Sequence, residues 1–241
     1  MTDILAIGAH PDDVEISAGG TLVKMRNLGH SIALCAASDG EPTPHGSHEI
    51  RLREAASVAS KLSCEYEILD MPNRYVVDSV ENRIKIANII RKHRPAVILC
   101  PHTAGLHPDH TAVSQIVDAA RFYAKLTKTD PEGREWPYEP WWTPRQYYYF
   151  LGGVEQGVMP TFIVDVTDEY EDKMDILNCY ASQWQVDMDM LSRSAHWGRM
   201  IGAKWGEAFA ARGPVAISDI MQLTERHGMP RTTRQKRTAG R

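Results

Sequence analysis

Ile4-Leu5-Ala6-Ile7-Gly8 runs directly into Ala9-His10-Pro11-Asp12-Asp13. A short apolar run of this kind reads as a buried strand. In open α/β sheets, ligands bind beyond the carboxyl ends of the strands. A nucleotide-binding fold carries Gly-x-Gly-x-x-Gly at that turn, because glycines let the backbone approach a pyrophosphate. Here an imidazole and two carboxylates take its place, and acids would repel a pyrophosphate. The first turn therefore argues against a dinucleotide and for a cation.

Working outward, residues 17–28 read as a helix and Ser31 to Ala37 as a second strand. A helix over Glu49 to Leu62, a strand over Tyr66 to Leu69 and an amphipathic helix over Val80 to His93 follow, with Pro95 as its stop. Ala96 to Cys100 is a fourth strand and Thr111 to Ala124 a further helix. Strand and helix alternating in this way indicate parallel βαβ units. The expected fold is α/β: a Rossmann-like open, mostly parallel sheet with helices on both faces. A C-terminal extension supplies strands over Gln146 to Leu151 and Phe162 to Val166, then helices at about 168–182 and 188–210. Residues 126–143, rich in proline and carrying Trp141 and Trp142, read as a loop or lid. One domain over 1–230 is expected, with a basic, solvated tail over 231–241.

With 241 residues, 43% of them hydrophobic and 24% charged, the chain can bury a large core without disulfides. A net charge of −4 does not advertise a nucleic-acid surface. Cys35, Cys64, Cys100 and Cys179 form no CxxC pair, and Cys35 and Cys100 read as core residues. No signal peptide or membrane-length apolar run is visible. A cytoplasmic location follows by default, with a homo-oligomer expected and neither a nucleic-acid nor a membrane partner.

A second dense cluster, His107-Pro108-Asp109-His110, lies just beyond the fourth strand. Strands one and four flank the switch point of a doubly wound sheet, so both clusters can face one crevice. Imidazole and carboxylate donors suit zinc, with Fe2+ or Mn2+ as other occupants. His10, Asp12, Asp13, His107 and His110 are five candidates for a site that needs three ligands, and two remain for proton transfer and charge stabilisation. Helix capping by Asp12, Asp13 and Asp109 is the plainer reading, but it does not account for three histidines at the same places. No Gly-x-Ser-x-Gly elbow or phosphate-binding Gly-x-x-x-x-Gly-Lys-Ser/Thr loop competes.

His10-Pro11-Asp12-Asp13 with Gly19-Gly20, then His107-Pro108-Asp109-His110, resemble the LmbE/PIG-L family of zinc deacetylases. The likeness extends through Ser38-Asp39-Gly40-Glu41, Glu49 to Ala55, Phe162 to Asp165 and Ile201 to Phe209, and so covers the chain to about residue 217. Within the family, the layout most resembles the bacillithiol-pathway deacetylases of N-acetylglucosaminyl-malate. The resemblance implies His10, Asp13 and His110 as metal ligands and Asp12 as general base. It implies His107 as the group that stabilises charge at the reacting carbonyl, in protonated form, or assists the leaving group. Asp109 would orient His107, and Arg51 would bind substrate hydroxyls. Two departures stand out: Leu106 where those enzymes carry arginine, which weighs against malate as the aglycone, and Tyr147-Tyr148-Tyr149 in place of a Tyr-His-Tyr strand.

The implied function is metal-dependent removal of an N-acetyl group from an N-acetylglucosamine-type small molecule, giving acetate and a free amine. Alternatives are an amidase for a thiol conjugate or larger N-acylated glycoside, and a non-enzymatic metal- or sugar-binding module that Asp12 argues against. His45 and His48 read as solvated loop residues. His102 is a candidate to support the site, and His196 is a packing or pocket residue.

Overall fold

The computed structural model describes residues 1–128, 135–151, 158–183 and 188–217. The tail expected over 231–241 lies outside them, as does the end of the domain expected over 1–230. Seven strands form one sheet in the order β3-β2-β1-β4-β5-β7-β6. In chain order they are β1 (Ile4–Gly8), β2 (Ile32–Ala36), β3 (Glu65–Ile68), β4 (Val97–Pro101), β5 (Arg145–Tyr149), β6 (Phe162–Asp165) and β7 (Gly206–Ala210). The helices are α1 (Asp13–Asn27), α2 (His48–Leu62), α3 (Val80–His93), α4 (Pro108–Ala124), α5 (Tyr170–Leu177) and α6 (Met188–Ile201).

β1 pairs in parallel with both β2 and β4, so strands one and four do flank the switch point. β3 and β5 extend the parallel part outward. The sheet splits the core by the two-residue period of its strands. Leu5 and Ile7 face the helices that carry Ile86, Ile90, Val113 and Ile116, namely α3 and α4. Ile4 and Ala6 face Val14, Leu22, Val58 and Leu62 of α1 and α2, with Ile176 of α5 on the same side. Ser47 and Ser79 cap α2 and α3 by accepting from the N–H groups of Ile50 and Asn82. Cys35 and Cys100 are fully buried, as expected for core cysteines.

Two sequence expectations need correction, and one pair of alternatives is narrowed. The helix expected over 188–210 stops at Ile201, where Gly202 turns at φ +79°. Gly206–Ala210 is instead a strand, β7, inserted antiparallel between β5 and β6. It is buried on both faces, with Ala208 in one core and Phe209 in the other, and such a run has no helix-versus-strand periodicity to read. The helix expected over 168–182 is only Tyr170–Leu177. The Trp-rich segment, expected as a loop or lid, is no lid where it is described. Trp141 donates its main-chain N–H to the Ala124 carbonyl and its indole N–H to the Pro95 carbonyl, at the amino end of β4. Arg91 stacks on Trp136 and Arg121 on Trp142, which fastens the segment to α3 and α4. That is the far end of the sheet from His10. Among the described residues, no helix is long and apolar enough to cross a membrane.

Candidate metal and catalytic site

The site forms where β1 hands over to α1. Asp13 opens the helix, where a carboxylate is favoured by the unpaired N–H groups. Its Oδ2 accepts from the main-chain N–H groups of Ala9 (2.8 Å) and His10 (2.9 Å), which closes the turn. Asp12 is held at φ +120°, a conformation that costs a non-glycine residue on the order of 1–3 kcal/mol and persists only under constraint. Arg51 of α2 supplies that constraint. Its Nη2 donates to the Pro11 carbonyl and lies 3.7 Å from Asp12 Oδ2, while its Nε donates to the Asp39 carbonyl at 3.1 Å. Gly40, at φ +82°, lets this arginine pass, since a Cβ there would lie 3.1 Å from Nη2.

The second cluster arrives from the β4–α4 junction. His110 Nε2 lies 3.2 Å from Asp13 Oδ1, and the ring centroids of His10 and His107 are 5.0 Å apart. The donor atoms of His10, Asp13 and His110 all lie within 4.8 Å of one another. His110 Nε2 approaches Asp13 Oδ1 at 3.2 Å and His10 Nδ1 approaches Asp13 Oδ2 at 3.6 Å, so the carboxylate sits between the two imidazoles. Two imidazoles and a carboxylate are a donor set of the zinc type. His110 Nδ1 is buried with no hydrogen-bond partner among the described residues.

The electrostatics agree with a cation site. Burial disfavours a charged His10, yet hydrogen bonds to Asp109 and Asp13 outweigh it and raise its pKa to about 10. Burial would likewise raise Asp13, but the charge of His110 and hydrogen bonds from both histidines hold it below the usual carboxylate range. Asp12 goes the other way: burial, then the neighbouring Asp13 charge, push it well above that range against the pull of Arg51.

Asp109 meets the two clusters differently from its expected role. Its carboxylate receives His10 Nε2 at 3.1 Å, together with the main-chain N–H groups of Arg74 (2.6 Å) and Val76 (3.3 Å). It thus orients His10, leaving Nδ1 facing Asp13, in the manner of carboxylates that back metal-bound imidazoles. The link to His107 runs instead through the main chain of Asp109, whose N–H donates to His107 Nδ1 at 3.2 Å. That bond fixes Nδ1 as an acceptor and puts the neutral ring's proton on Nε2. Burial, and then the charges of His110 and His10, lower the His107 pKa, so the protonated form expected for it is disfavoured here.

A cavity of about 200 Å³ opens on this constellation. His10, Asp12, Arg51 and His107 line it, as do Asn73, Arg74 and Gln183. Leu106 is 97% exposed and is not among the lining residues. Asn73, Arg74 and Gln183 were not singled out from the sequence. Asn73 and Arg74 follow β3, so the rule that ligands bind beyond strand ends would have pointed to them. Gln183 follows α5 and is anchored through Ser182, which donates twice to the Glu54 carboxylate. Of the weaker candidates, His48 pairs with Asp39 at 2.7 Å on the surface and His102 stacks on Phe150. His196 packs edge-on against Trp197.

Residues 5–121 match the family described as PIG-L, GlcNAc-PI de-N-acetylase. The chain is 26% identical over 224 residues to the diacetylchitobiose deacetylase of Thermococcus kodakarensis, across 85% of this chain and 80% of that protein. It is 25% identical over 234 residues to 1D-myo-inositol 2-acetamido-2-deoxy-alpha-D-glucopyranoside deacetylase 2 of Saccharopolyspora erythraea, across 76% and 84% respectively. Among solved structures, the conserved protein TT1542 from Thermus thermophilus superposes with a TM-score of 0.80 at 30% identity, covering 90% of this chain and 97% of that one. With the paired motifs brought to one cavity, these matches make the chain a member of the PIG-L/LmbE family.

Proposed function

We propose that the protein is a metal-dependent hydrolase that removes the N-acetyl group from an N-acetylglucosamine-type small molecule, releasing acetate and a free amine. One observation carries the reading: His10, Asp13 and His110 converge around a common point, while Asp12, with its raised pKa, faces the same cavity. The two curated deacetylases above act, by their names, on N-acetylated amino sugars, which supports the substrate class.

In this reading His10, Asp13 and His110 hold a divalent ion, zinc suiting the donors best and Fe2+ or Mn2+ being compatible. Bound there, such an ion would supply a water acidified to near neutral pH and polarisation of the amide carbonyl. Asp12 takes the proton from the attacking water and returns it to the departing amine, a task for which a carboxyl with a raised pKa is suited. His107, as a neutral ring with Nε2–H directed away from Asp109, donates a hydrogen bond to the oxygen on which charge develops. Asp109 keeps His10 in register. Arg51 keeps the Asp12 turn in place and, as a residue lining the cavity, is the group we assign to a substrate hydroxyl.

The test is acetate release from a panel of N-acetylglucosamine glycosides, N-acylated thiol conjugates and larger acylated glycosides. The reading predicts turnover of the small glucosaminides. Turnover restricted to thiol conjugates or large glycosides would replace it with the broader amidase.

A further inference from the structure

We propose that Arg74 selects the substrate beyond its N-acetyl group, by pairing its guanidinium with an anionic substituent, a carboxylate or a phosphate, on the molecule that enters the cavity. The inference rests on the deacetylase reading above and deepens it.

Two arginines line the catalytic cavity, and they differ in what already holds them. Arg51 is 1% exposed and its charge is met by Asp12 at 3.7 Å and Glu54 at 3.6 Å. Arg74 is exposed, and among the described residues no carboxylate lies within ion-pair distance of it. Among the described residues its side chain makes one hydrogen bond, from Nη2 to the neutral Pro42 carbonyl at 2.8 Å. A positive charge therefore stands at the cavity wall without a countercharge among the described residues. A planar guanidinium in that position is suited to two parallel hydrogen bonds with a carboxylate or phosphate.

The base of the side chain is fixed by the main chain, and its tip is held by the Pro42 carbonyl. The Arg74 main-chain N–H donates to Asp109 Oδ2 at 2.6 Å, and the residue is held at φ +70°. Its neighbour Asn73 donates to the Gly40 carbonyl at 2.5 Å. Arg74 is thus registered against the same carboxylate that orients His10, so an anion bound by its guanidinium has a set position relative to the reacting centre. The other groups at this end of the cavity, Thr43, Asn73 and Gln183, are neutral and polar, which suits sugar hydroxyls. Arg74 is the group there that distinguishes an acid from a neutral aglycone.

The experiment compares kcat and KM of the wild type, Arg74→Gln and Arg74→Lys on three small substrates. These are methyl N-acetylglucosaminide, N-acetylglucosamine 1-phosphate and an N-acetylglucosaminide with a carboxylate-bearing aglycone of similar size. We expect the wild type to prefer at least one anionic substrate over the neutral one. Arg74→Gln should reduce that preference, as the ratio of kcat/KM values, by about 10- to 100-fold through KM, the usual worth of a charge-assisted hydrogen bond. Arg74→Lys should keep part of it. The anion whose advantage falls more identifies the source. A preference absent from the wild type, or unchanged in Arg74→Gln, overturns the proposal. So does a parallel loss on all three substrates, which marks Arg74 as structural. If no substrate is turned over, the deacetylase reading fails separately, and calorimetric binding of the same three compounds reads Arg74 directly. Anionic compounds should then bind the wild type at least about tenfold more tightly than Arg74→Gln, and equal affinities overturn the proposal.

Discussion

At the residue scale, chemistry is concentrated in neighbours given opposite tasks. Asp12 and Asp13 are adjacent in sequence, yet hydrogen bonds from Ala9 and His10 commit Asp13 to the turn, while Asp12 is rotated by its positive φ toward Arg51 and the cavity. One carboxylate is held low by histidines and the other is raised by burial. That is the separation expected when one binds a cation and the other moves protons. Asp12→Asn should lower kcat by about 10²- to 10⁴-fold, the range for a positioned general base, while the metal content per chain stays that of the wild type. Metal analysis beside single-turnover kinetics checks this, and turnover within a few-fold of wild type would remove Asp12 from the role of base. The residues of both motifs were legible in the sequence because few other arrangements place three histidines and three aspartates after two strands. The partner of each was not. That Asp109 backs His10, and that Arg51 braces the Asp12 turn, depends on tertiary geometry that spacing does not encode.

At the element scale, the four βα units and the switch point were readable from alternating periodicity, whereas β7 was not. Its Gly206-Glu207-Ala208-Phe209-Ala210 run carries a buried acid, and the reason for that acid appears only in three dimensions. Glu207 accepts from the N–H groups of Gly20 and Thr21 in α1 and pairs with Lys173 of α5 at 2.7 Å, both side chains being 1% exposed. Lys173 also donates to the Ile16 carbonyl. The pair therefore clamps the C-terminal strand and α5 to the helix that starts at Asp13. Glu207→Gln leaves a buried ammonium without its countercharge and should cost about 3–5 kcal/mol, which corresponds to a melting-temperature drop on the order of 10 °C for a domain of this size. Calorimetry would expose the clamp as inconsequential if the drop were under about 2 °C.

At the sheet edge, a hydrogen bond from His93, the largest influence, and one from Lys92 hold Glu67 of β3 below its ordinary pKa. A depressed carboxylate contributes stability that is present above its unfolded value of about 4.3 and is lost as pH falls through the folded value. Replacing Glu67 by glutamine should therefore lower the melting temperature at pH 7 and narrow the gap to wild type as the pH approaches 3. A gap that stays constant across that range would mean the ionised pair contributes nothing.

At the scale of the whole molecule, the sheet places its working end and its braced end on opposite sides. The carboxyl ends of β1 and β4 carry the histidines and aspartates, and the Trp-rich segment packs where β4 begins. Aromatic, proline-rich composition alone gave no means of deciding which end that segment covers; the Pro95 carbonyl and the arginines of α3 and α4 decide it. The proposed chemistry depends throughout on a divalent ion shared by residues that follow the carboxyl ends of two neighbouring strands, β1 and β4. The most direct test is acetate release from an N-acetylglucosaminide by protein first stripped with a chelator and then titrated with zinc, with bound metal counted in parallel. Activity should be lost on stripping and should recover until one ion is bound per chain, with neither binding nor recovery in His110→Ala. Undiminished acetate release from metal-free protein would contradict this.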